Sequence, residues 1–199
     1  MSIRFGRLCR EVLVCGFLVV TFALFAACGD GADDPGGSGE DGTQGEQIEG
    51  VVTERIGPYD HILGDLSYDR PAPSGGDHLP APYWLTCGVY EGVVPDELAV
   101  HSLEHGAVWI ALGPDSTPED REEATALAEG NKVFVSDVPD LPNPVELVSW
   151  GRRLPLESAS DERAARFIEQ FVDSADAPEA GASCESLGDP PTPPELPSA

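Results

Sequence analysis

Apolar positions along the chain come in distinct textures. From Val12 to Ala27 they run together, interrupted only by Cys15, Gly16 and Thr21. Across 28–48 they almost vanish among Gly, Asp, Glu, Ser and Pro. Such a stretch cannot offset the entropy of ordering, which predicts a flexible, disordered linker. From 49 to 175 apolar clusters return at regular intervals, the texture of one globular domain. Residues 176–199 are acidic and Pro-rich again and read as an irregular tail.

Within 49–175 the clusters predict alternating element types. Gly50-Val51-Val52-Thr53 reads as a short strand, and residues 57–82, rich in Pro, Gly, Asp and Ser, as a long loop. Pro95 to Gly106 carries helix punctuation, with Pro early, acids in the first turn and Gly at the end. A strand competes there, because Ala107-Val108-Trp109-Ile110-Ala111-Leu112 is a strand that can begin earlier. Thr117-Pro118-Glu119-Asp120 resembles a capping box opening a helix that ends at Gly130. Strands follow at Lys132-Val133-Phe134-Val135 and Val145–Trp150. Ala164, Phe167, Ile168, Phe171 and Val172 share one face at helical spacing, predicting an amphipathic helix over Ser160–Asp173. The expected fold is α+β, a sheet of three to five strands with two or three helices packed on it.

Charge and termini then bear on location. The chain has 11 Lys+Arg against 36 Asp+Glu, a net charge of −25. That excludes nucleic acid as an expected partner, because phosphate contacts need clustered Lys and Arg. Three Arg in the first ten residues precede the apolar run, the order of a secretory signal. The run ends Leu24-Phe25-Ala26-Ala27-Cys28-Gly29, which resembles a bacterial lipobox with Cys28 as the lipidated residue. An ordinary cleaved signal or an uncleaved anchor helix are the other readings. The lipobox reading makes 1–27 a lipoprotein signal peptide. It anchors the domain through lipid to a membrane, in the periplasm or on the extracellular face. Removing 1–27 takes away three Arg and one Glu, so the exported part is more acidic still.

The cysteines divide accordingly. Cys9 and Cys15 leave with the signal, Cys28 carries lipid, and Cys87 and Cys184 remain as a pair in an oxidising compartment. A bridge between them would contribute on the order of 4–5 kcal/mol in the chain-entropy model. The alternative is Cys87 as a metal ligand near the histidines.

All four histidines, His61, His78, His101 and His105, lie in the first half of the domain. His101-Ser102-Leu103-Glu104-His105 has the H-x-x-E-H order of inverted zinc peptidases. His101 and His105 share a face on either a helix or a strand. His78 is the expected third ligand, completed by His61 or by an acid such as Asp77 or Glu104. Zinc or copper suits neutral imidazoles in an exported protein. A metal-dependent hydrolase with Glu104 as base is a weaker expectation, and so is a non-catalytic envelope module with structural histidines. Ser74 and Ser102 lack the G-x-S-x-G context of a serine nucleophile.

These segments resemble a known family, the bacterial and archaeal domain of unknown function 3105. The resemblance runs from about His61 to Val172. It rests on Pro73-Ser74-Gly75-Gly76-Asp77-His78, Cys87-Gly88-Val89-Tyr90, Val94-Pro95-Asp96-Glu97, the block from Val100 to Val108, and Ser149-Trp150-Gly151-Arg152. The family pattern usually has Pro before the loop histidine, where this chain has Asp77. The resemblance implies attachment to a membrane by an N-terminal helix or lipoprotein signal. It implies no substrate, reaction or ligand set.

Overall fold

The computed structural model describes residues 47–186 except Asp65, together with residues 190, 193, 195 and 196. The signal segment, Cys28 and nearly all of the expected linker lie outside the described residues. Six strands form one mixed sheet: β1 (Val52–Thr53), β2 (Gly88–Val93), β3 (Val108–Leu112), β4 (Val133–Asp137), β5 (Val145–Ser149) and β6 (Arg152–Leu156). Three helices accompany them, α1 (Asp96–Glu104), α2 (Pro118–Ala128) and α3 (Glu162–Phe171). The spatial order is β1-β6-β5-β3-β4-β2. β4 pairs in parallel with both β3 and β2, and the remaining pairs are antiparallel. The parallel β3–β4 pair needs a crossover, and α2 supplies it.

Both faces of the sheet are covered, and strand alternation sorts the side chains between them. Val108, Ile110 and Leu112 of β3 join Val133 and Val135 of β4 in a core with Ala124, Phe167, Ile168 and Phe171 from α2 and α3. Trp109, Ala111 and Phe134 point to the opposite core, with Leu98, Ala99, Val100 and Leu103 from α1. Two covered faces explain why β3 reads as a continuous apolar run. Ile48, at the end of the expected linker, is buried in the first of these cores.

The α+β class is as expected, but the sheet is larger than the expected three to five strands. The added members are β2 and β6. β2 begins and continues with glycine, and β6 reads Arg-Arg-Leu-Pro-Leu, so neither shows an apolar alternation. In β6 the buried Arg153 is compensated rather than excluded. It donates to Glu54 at 3.0 Å, to the Ala72 carbonyl at 2.7 Å and to the buried Glu146.

The ambiguous segment before β3 is helical. Asp96 and Glu97 occupy the first turn of α1, and Gly106 after it has φ of +93°. A Cβ at Gly106 would sit 2.7 Å from Asp173 Oδ1, so only glycine lets the chain turn there beside the end of α3. The capping box forms as expected, with Thr117 and Asp120 bonding reciprocally at the start of α2.

After α3 the described chain runs in turns and irregular backbone back to α1 and β2. Cys184 is disulfide-bonded to Cys87, with Cα atoms 5.5 Å apart. The Cys87 N–H also donates to the Cys184 carbonyl at 3.1 Å. Among the described residues no helix is long and apolar enough to cross a membrane.

Candidate metal centre

α1 carries His101 and Glu104, His105 caps its C-terminal end, and all three are buried. The long loop supplies the other histidines. His61 and His78 form an isolated parallel bridge, with Ile62 N–H donating to the His78 carbonyl at 2.8 Å and His78 N–H to the Asp60 carbonyl at 3.2 Å. Asp77 locks this pairing by accepting the Asp60 N–H at 2.8 Å. The Asp77 side chain therefore clamps the two histidine-bearing stretches together.

His61, His78, His101 and Glu104 each offer one ligand atom, and the four atoms lie within 4.8 Å of one another. Glu104 Oε2 is 3.0 Å from His78 Nε2 and 3.3 Å from His61 Nε2. His78 and Glu104 are almost wholly inaccessible, and His61 stands at the opening with its side chain 41% exposed. Tyr59 stacks on His78, with centroids 5.6 Å apart, and packs edge-on against Trp150. Its hydroxyl hydrogen-bonds Glu104. Burial, then Glu104, push that hydroxyl up to about 12, so it stays a donor.

Proton accounting makes the group unusual. The Gly76 carbonyl can only accept, so the 2.8 Å contact puts a hydrogen on His78 Nδ1. The lone pair of Nε2 in the neutral ring would then face a carboxylate oxygen at 3.0 Å. Two acceptors that close need a cation or an extra proton between them. Burial pushes the Glu104 carboxyl up, but hydrogen bonds from His78 and Tyr59 and the charges of His78 and His61 outweigh it and hold it at about 2. Burial, with His105 and His78 adding to it, pushes the His101 imidazole down to about 4. At neutral pH His101 is uncharged, and its Nδ1 is buried without any hydrogen-bond partner. The site thus gathers an anionic oxygen, a neutral imidazole with an unpartnered nitrogen and two further imidazoles.

His105 is directed elsewhere. Its Nδ1 meets the Ser183 carbonyl at 2.9 Å, and Nε2 lies 3.5 Å from Glu179. It remains a ring neighbour of His101, with centroids 4.7 Å apart, but it is outside the four-atom group. Glu104, the candidate base, lies inside it. Asp77 serves the loop instead, and Cys87 is in the disulfide. Ser74 Oγ donates to Glu54 at 2.5 Å and Ser102 Oγ to the Leu98 carbonyl at 3.0 Å, so both hydroxyls hold the fold. Sequence reasoning did not find Tyr59. A lone tyrosine 45 positions from Glu104 carries no spacing signal, and only the returned loop brings it near.

The family described as a protein of unknown function (DUF3105) matches residues 61–186, which include His61, His78, His101, Glu104 and both disulfide cysteines. No curated protein and no solved structure matches the chain.

Proposed function

The chain belongs to that family of unknown function, and we propose that its domain binds a divalent transition metal, zinc or copper, through His61, His78, His101 and Glu104. The observation that carries this reading is the convergence of four ligand atoms within 4.8 Å of one another, with His78 Nε2 only 3.0 Å from the buried Glu104 Oε2 and His101 Nδ1 buried without a hydrogen-bond partner. Ligand atoms about 2.0–2.2 Å from a tetrahedral ion lie roughly 3.3–3.6 Å from each other. The His61 contact to Glu104, at 3.3 Å, falls in that span, and the His78 contact, at 3.0 Å, is slightly shorter. Three imidazoles and one carboxylate form a borderline nitrogen and oxygen set suited to zinc or copper(II). The Gly76 carbonyl orients His78 from behind, and Tyr59 does the same for Glu104, as supporting groups do around ligands.

With Glu104 on the ion, the acid singled out as base is itself a ligand, which favours metal binding or carriage over hydrolysis. The lipobox at Cys28 supports a lipid-anchored protein of the cell envelope. A structural role for the histidines is the second reading. A proton shared by His78 and Glu104 would satisfy the same contact.

Chelator-stripped protein should take up one zinc or copper(II) per chain. His78→Ala and His101→Ala should each weaken uptake by at least about 100-fold, with far-UV dichroism kept. His105→Ala should stay near wild type. No uptake at micromolar metal would leave the structural reading. The anchor is tested apart from the metal: Cys28→Ser should move the protein from the membrane to the soluble fraction.

A further inference from the structure

An open cleft of about 530 Å³ runs up to the metal group from the solvent side. Its lining includes His61, Pro80, Ala81, Trp84, His101 and Ala182, so it meets two of the four proposed ligands. A single coordinated water needs far less room, and this volume falls within the span of small-molecule sites. We infer that the cleft binds a planar nitrogen heteroaromatic of the imidazole or pyridine class, whose ring nitrogen ligates the ion from the His61 side. The inference rests on the metal-binding reading.

The chemistry of the walls selects that class. Trp84 lies beside two imidazoles, 5.3 Å from the centroid of His101 in α1 and 4.8 Å from that of His105 at its C-cap. Its indole N–H is occupied by the Glu185 carbonyl at 2.9 Å, so it offers a ligand apolar ring surface only. Pro80, Ala81 and Ala182 add no charge. Glu179 stands at the rim with its side chain about half exposed, and none of the lining residues is Lys or Arg. An anionic ligand meets no countercharge from these walls and meets the Glu179 carboxylate. A neutral flat ring suits both the wall and a zinc or copper ion, and stacking on Trp84 adds affinity that a bare donor lacks.

Copper(II)-loaded full-length protein provides the test, with copper content measured before and after each titration. Added 4-phenylimidazole should shift the copper absorption and paramagnetic resonance spectra to saturation at one per copper. It should bind roughly tenfold tighter than imidazole, and benzoate should leave the spectra unchanged. Trp84→Ala and Trp84→Leu should remove most of that preference while copper uptake stays as in wild type. Copper bound with spectra that no heteroaromatic shifts, or a preference that survives both Trp84 variants, would overturn the cleft assignment alone. Failure to take up copper or zinc at all would overturn it together with the metal-binding reading.

Discussion

Single side chains at the centre make the metal-free domain sensitive to acid. His101 is held at about 4, below the ordinary 6.5, first by burial. A group whose folded value is depressed binds its proton more readily when unfolded, so stability falls as pH drops through the gap. For His101 the loss begins below about pH 6.5 and is complete near pH 4, on the order of a few kcal/mol. Glu104, held at about 2 against an ordinary 4.5, extends the loss below pH 4.5. Denaturant midpoints of stripped protein should therefore decline from pH 7 to 4. His101→Gln should flatten the part between 6.5 and 4, and an equal slope in the variant would show that the decline comes from other groups. The four histidines were legible in the sequence as a cluster, and so was Glu104 as an acid near them. Which imidazole turns away was not, because His105 is diverted by Ser183 and Glu179, residues more than 70 positions later.

At the scale of elements, legibility followed the strength of the local signal. α3 has its apolar side chains on one face, and α2 has a capping box, so each declared itself through its own residues. β3 is a continuous apolar run because both faces are covered, and β4 and β5 are mostly apolar and almost wholly buried. β2 and β6 stayed hidden for a physical reason. β6 places Arg153 inside, and that is tolerable only because Glu146 of β5 and Glu54 beyond β1 lie against it. Compensation between distant residues leaves no period in either segment. The same holds for the His61–His78 bridge, which consists of two extended stretches in a loop whose polar composition gave no hint of pairing.

At the scale of the whole molecule, the chain's end returns to its centre. The Glu179 N–H donates to the Glu104 carbonyl at 3.0 Å. Lys132 Nζ ties together the carbonyls of His105 and Ala182 and the carboxylate of Asp173. Ala182 and Ser183 then line the cleft that reaches His61 and His101. The tail that composition marks as irregular is thus one wall of the proposed binding region. The disulfide joining Cys87 to Cys184 has a further consequence, because 97 positions separate the two. Every peptide bond from Gly88 to Ser183 lies inside a closed covalent ring, together with α1, α2, α3 and five of the six strands. One cut in such a ring opens it but separates nothing. Brief digestion with a glutamate-specific protease should nick the exposed Glu129 at the end of α2. The nicked protein should then stay a single species on a non-reducing gel and fall into two fragments once reductant is added. Two fragments without reductant would mean that the ring is not closed in the isolated protein. A domain built this way survives a first proteolytic cut with all of its parts still joined.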